Sequence, residues 1–188
     1  MSKHALVVIA PGSEEMEAVA CIDILVRGGI KVTVASACPQ GKLQITASRG
    51  VKLVADVLLE AVESESFDMI VLPGGIPGAE HLRDSQLLLK MLKAQQARGA
   101  WIAAICASPA LVLAHHQLLG QAKVTGYPGT EGKLENYFNA PVVVDDAAKL
   151  ITSKGPGTAI AFALSAVGRL SGIDIARRVA GELLVVWP

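Results

Sequence analysis

Four short runs rich in apolar residues, Ala5–Ala10, Ile30–Ala35, Asp68–Leu72 and Trp101–Ile105, constrain this chain more than any other feature. The first, ALVVIA, is apolar at every position, as a parallel strand covered on both faces must be. Three of the runs stop on turns: Pro11-Gly12-Ser13, Pro73-Gly74-Gly75 and Cys106. Between the first two runs lies a helical pattern. Glu14, Glu15 and Glu17 crowd its first turn, Val19, Ile22, Leu25 and Val26 make its apolar stripe, and Gly28-Gly29 ends it. Ser13 is placed to cap it. Strand, helix and strand within about thirty residues make a βαβ unit.

The later chain continues the alternation. Gln44–Ser48 and Val51–Ala55 read as short strands in a hairpin around Arg49-Gly50. Leu82–Arg98 reads as one helix stopped by Gly99, and Leu111–Leu119 as the continuation of a helix that begins after Cys106. Lys123–Thr125, Val142–Val144 and Leu150–Thr152 read as strands, and Lys133–Asn139 as a polar surface segment. Thr158–Leu170 and Ile173–Val186 read as helices, the last with Ile175, Val179, Leu183 and Val186 as its stripe. This order predicts an α/β fold: a three-layer αβα sandwich with a mainly parallel sheet, in one domain over residues 1–188.

Composition narrows the function. Lys plus Arg and Asp plus Glu both number 17, so no net charge attracts nucleic acid or an anionic membrane. Aromatics at 4% supply no stacking platform for single strands. Cys21, Cys38 and Cys106 form no CxxC pair, which suggests neither a zinc site nor a disulfide framework. Reduced thiols fit a cytoplasmic setting. No leader sequence and no membrane span is expected.

Trp101–Ala110, WIAAICASPA, carries the chemistry. A strand that stops on a nucleophile and turns at once into a helix is the nucleophile-elbow arrangement. Pro109 suits a first helical turn. The helix N-terminus is expected to favour thiolate at Cys106. The bland alternative is a buried cysteine acting as a small hydrophobe. In open α/β sheets, sites form beyond the carboxyl ends of strands, so the three turns are expected on one rim. One of Glu14, Glu15 and Glu17 would then meet the thiol, the other two merely offsetting the helix dipole. The amides of Gly74, Gly75 and Ala107 could cradle an oxyanion. His115 and His116 lie too far along a helix from Cys106, roughly 13–15 Å of rise, to act as its base. His81 is expected on the surface.

Five ordered segments, ALVVIAPGSEEMEAV, GIKVTVAS, VLPGGIPGAEHLRD, IAAICASPALVLAH and LITSKGPGTAIAFAL, closely resemble the DJ-1/ThiJ/PfpI superfamily, in particular its DJ-1 branch and the bacterial YajL-like proteins. The similarity runs from about Lys3 to Val186. It implies a flavodoxin-like homodimer, with Cys106 as the oxidisable nucleophile and Glu17 as the protonated carboxylate. Gly75 and Ala107 take the oxyanion-hole positions, and Arg27 and Arg49 fall near the dimer contact. Ser153, Gly155 and Pro156 match a loop close to the nucleophile. Two departures stand out. Tyr127 occupies the place of a histidine of the DJ-1 branch. Ala107 stands where the PfpI protease branch has a histidine, which argues against peptidase activity.

The resemblance implies cofactor-free glyoxalase or deglycase chemistry on methylglyoxal-like aldehydes or glycated protein, through Cys106 and Glu17. A second expectation is a peroxide-responsive sensor or chaperone, with Glu17 hydrogen-bonding a Cys106 sulfinate. A third, a thiazole monophosphate role attached to the ThiJ label, lacks any phosphate-loop motif here.

Overall fold

The computed structural model describes residues 3–187. In chain order its elements begin with β1 (His4–Ile9), α1 (Glu15–Arg27), β2 (Lys31–Ser36), β3 (Gln44–Thr46), β4 (Lys52–Val54) and β5 (Val57–Leu58). Then come β6 (Met69–Leu72), α2 (Ile76–Asp84), α3 (Gln86–Ala97), β7 (Trp101–Ile105) and a π-helix, Pro109–Ala114. β8 (Val142–Asp145), β9 (Leu150–Ser153), α4 (Ala159–Leu170) and α5 (Ile173–Glu182) complete the chain.

Seven strands form one sheet in the order β5-β2-β1-β6-β7-β9-β8. Every pair is parallel except β8 with β9. The strand order reverses at β1, whose partners β2 and β6 lie on opposite sides. α1, α4 and α5 pack on one another, as do α2, α3 and the π-helix, giving a helical layer on each face of the sheet. β1, β6 and β7 are buried along almost their whole lengths, which is why their sequences alternate so little. β3 and β4 form the expected hairpin outside the main sheet.

Several sequence expectations need correction. The buried face of α1 is Ala18, Cys21, Ile24 and Leu25, while Val19 and Val26 are exposed. Leu25 keeps its expected place in the core and Ile22 packs half-buried against it, with Ala18 and Cys21 filling the rest of the buried face. The helix cap is Glu14, whose carboxylate accepts from the Glu17 amide at 2.8 Å; Ser13 Oγ instead accepts from Ala10 N. Leu82–Arg98 is two helices. Ser85 is extended and caps α3 by accepting from Leu88 N, so the chain bends there. The helix after Cys106 ends at Ala114 and is of π type. Lys123–Thr125 contributes only a bridge between Val124 and Tyr137. Leu134 is buried inside the segment read as polar surface. α5 stops at Glu182, with Val186 exposed.

Candidate active site

The carboxyl ends of β1, β6, β7 and β9 meet at one rim, as the fold rule requires. Cys106 follows β7 and adopts φ of 64°, the left-handed region that L-residues rarely occupy. Its backbone is strapped from both sides. The Cys106 amide donates to Ser153 O at the end of β9, and its carbonyl accepts from Tyr127 N at 2.8 Å. The residue is 7% exposed. The amides of Gly75 and Ala107 face its sulfur.

Glu17 lies on the first turn of α1 and is wholly buried. Its carboxyl sits within interaction range of the Cys106 thiol. Oε2 accepts from the Gly74 amide at 2.7 Å, and Oε1 is buried with no hydrogen-bond partner. Gly74 fits between the two side chains. A Cβ there would stand 2.4 Å from Cys106 Cβ, 2.8 Å from Glu17 Oε2 and 2.9 Å from Cys106 Sγ. Gly75 has φ of 81°, and a Cβ on it would fall 2.2 Å from Gly12 O. The turn after β1 and the turn after β6 therefore touch backbone to backbone.

Opposing electrostatic influences meet at the thiol. Burial, then the neighbouring Glu17 charge, pushes the Cys106 thiol up to about 12; the Gly75 and Ala107 amides pull less strongly the other way. Burial pushes Glu17 up to about 7, opposed by the Gly74 amide and Cys106 and aided by Glu14. Burial opposes the expected pull of the helix N-terminus toward thiolate at Cys106. The following helix is six residues long, and desolvation outweighs two amides. Burial disfavours the charged form of both groups, so one proton is shared between the Cys106 sulfur and the Glu17 carboxylate.

The remaining named residues fall as follows. Tyr127 is 46% exposed, with its ring 3.4 Å from a Cβ built on Gly155; that same position is 4.0 Å from Glu17 Oε1. Tyr127 and Gly155 thus flank one side of the pair. Pro156 opens the short turn before α4. Arg27 is exposed and paired with Asp23 at 2.7 Å, and Arg49 is exposed on the hairpin turn. Neither side chain joins the rim. His116 Nε2 bonds the Arg83 carbonyl, His115 packs edge-on against His116, and His81 lines a separate cavity with Cys38 and Asp84.

Two functional contacts escaped the sequence reading. Glu15 does more than offset a dipole: it accepts from Ser48 Oγ at 2.8 Å and Arg49 N at 2.9 Å, latching the hairpin to α1. Ser108 donates from Oγ to Pro73 O at 2.6 Å. Its hydroxyl at a buried helix start was the available signal.

Fold and rim together define a class: an α/β sandwich with an elbow cysteine facing a buried carboxyl. Residues 3–169 match the DJ-1/PfpI family, and the chain belongs to that family. It is 44% identical to Protein dj-1beta of Drosophila melanogaster, with both chains fully covered. It is 37% identical to Glutathione-independent glyoxalase DJR-1.2 of Caenorhabditis elegans, covering 90% of each chain. Among solved structures, oxidized Toxoplasma gondii DJ-1 superposes with a TM-score of 0.95 at 43% identity, over 98% of this chain and 100% of that one.

Proposed function

We propose that this protein converts small 2-oxoaldehydes such as methylglyoxal to 2-hydroxy acids, with Cys106 as nucleophile, Glu17 as proton carrier and no cofactor. One observation carries the reading: a wholly buried carboxyl with an unpartnered oxygen lies beside a thiol that two backbone amides also face. The Glu17 carboxylate takes the thiol proton as sulfur adds to the aldehyde carbon. The Gly75 and Ala107 amides stabilise the developing oxyanion, which the Glu17 acid then protonates to a hemithioacetal. Glu17 next removes the proton from that carbon and returns it to the neighbouring one. The aldehyde carbon is thereby oxidised to a thioester and the ketone reduced to an alcohol. Water cleaves the thioester, giving lactate and the free thiol. No outside oxidant or reductant enters. The relative named a glutathione-independent glyoxalase supports this reading. The same steps on hemithioacetals of protein would constitute deglycation.

Lactate release from methylglyoxal, without added glutathione or metal, is the test. Cys106→Ser and Glu17→Gln are each expected to lose at least about 100-fold in kcat/KM. Equal turnover by wild type and Cys106→Ser would end the reading.

A peroxide-responsive role is the second reading. The same amides and carboxyl supply donors for a Cys106 sulfinate, and one structural relative is described as oxidized. Intact mass after mild peroxide should show two added oxygens, absent in Cys106→Ser.

The working unit in either case is proposed as a cytoplasmic homodimer. Met16 and Val19 on the outer face of α1 are 61% and 47% exposed; the exposed Arg27 ends the same helix, and the exposed Arg49 lies on the hairpin bonded to its first turn through Glu15. The described residues contain no helix long and apolar enough to cross a membrane.

A further inference from the structure

Ser108 stands two residues after Cys106 and is wholly buried. Its Oγ donates to the Pro73 carbonyl at 2.6 Å. That carbonyl and the Gly74 N–H are the two polar ends of one planar trans peptide, and they point in opposite directions. The Gly74 N–H donates to Glu17 Oε2 at 2.7 Å. A single rigid plate therefore joins the elbow hydroxyl at one end to the Glu17 carboxyl at the other.

We propose that Ser108 is a positioning residue for Glu17, acting through the Pro73–Gly74 peptide. Two physical effects follow from the geometry. A hydrogen bond into the carbonyl polarises the amide and makes its N–H a better donor. It also resists rotation of the plate, which keeps that N–H aimed at Oε2. Both effects favour the ionised carboxylate, the form that can accept the thiol proton. Gly74 itself is held from the other side, its carbonyl accepting from Glu14 N at 2.9 Å. The titratable groups facing Glu17 are Cys106 on the elbow, Glu14 at the helix cap and Cys21 one turn along α1. All three stay unchanged in a Ser108 variant. The inference deepens the proposed role of Glu17 and rests on it for any catalytic consequence.

The experiment is a carboxyl 13C NMR titration of glutamate-labelled protein, with Glu17→Gln used to assign the Glu17 signal. Ser108→Ala should move the Glu17 midpoint upward by about half a pH unit or more. Ser108→Thr, which keeps the hydroxyl, should restore the wild-type midpoint. The pH dependence of Cys106 alkylation should move with the NMR midpoint. A Ser108→Ala midpoint equal to wild type would overturn the proposal, as would equal shifts in the alanine and threonine variants. If Ser108→Ala does not fold, Ser108→Gly removes the same hydroxyl and carries the same expectation. The titration needs no substrate, so a wild type that forms no lactate would sink the aldehyde reading alone.

Discussion

The Gly74 amide donates to Glu17 Oε2 at 2.7 Å, while the Gly74 α-carbon leaves no room for a methyl group. Glycine is required by volume, since the space is already taken by Cys106 and Glu17. Gly74→Ala should therefore separate the two side chains. The expected cost is about 1–3 kcal/mol, as for other overpacking changes, with a larger fall in Cys106 alkylation than in melting temperature. Thermal melts and thiol alkylation rates on one preparation would check both.

Burial of Glu17 makes stability depend on pH. The carboxyl moves from an ordinary 4.5 to about 7 on folding. Between those values the folded chain holds a proton that the unfolded chain has released. Stability therefore falls as pH rises through that window and is level above it. Glu17→Gln removes this dependence. Relative to wild type it should gain about 3 kcal/mol between pH 4.5 and pH 8. Denaturant melts at both pH values provide the measurement, and parallel curves for the two proteins would contradict it.

The left-handed backbone at Cys106 stores strain. Cys106→Gly should relieve it, where Cys106→Ala should not. The glycine variant is expected to exceed the alanine variant by about 1 kcal/mol in unfolding free energy, although both lose the sulfur. The usual ranking of the two residues would be reversed.

Glu15 ties the hairpin to α1. Burial works against its charge, yet bonds from its own amide, the Ser48 hydroxyl and the Arg49 and Val51 amides hold its carboxyl below the usual range. That contribution to stability is present above the unfolded value and is lost as pH falls through the folded one. Glu15→Ala should destabilise by about 1–3 kcal/mol and raise hydrogen exchange in residues 44–54.

The outer face of α1 tests the assembly. Met16→Asp places a charge where 61% of the side chain is free in the single chain. Light scattering should then report a monomer, against a dimer for wild type, with the melting of the isolated chain little changed.

Sheet and rim were legible for the same reason. Continuous burial makes ALVVIA and WIAAI apolar throughout, and a strand that stops sharply at Cys106 marks its own end. The break at Ser85 was hidden because Leu82 and Leu89, seven residues apart, keep a helical spacing across it. α1 misled in the opposite way. Its expected stripe holds at Leu25 and fails at Val19 and Val26, because Ala18 and Cys21, which a hydrophobicity pattern weighs lightly, share the buried face. Glu17 could not be told from Glu14 and Glu15 by local pattern. The three differ only in partners remote in sequence: Gly74 for Glu17, and Ser48 and Arg49 for Glu15. The elbow motif shows the amides around Cys106 but not the burial that opposes its ionisation, because desolvation is invisible along a chain.

The backbone contact between Gly75 and Gly12 O has a corollary for substitution. One wall beside the thiol is main chain pressed on main chain, and no replacement side chain can widen or narrow it. Beside Glu17, Tyr127 lies over Gly155, a ring against a hydrogen. Side-chain replacement can therefore reshape the surroundings of the pair at position 127, while the Gly75 wall can change only by moving backbone.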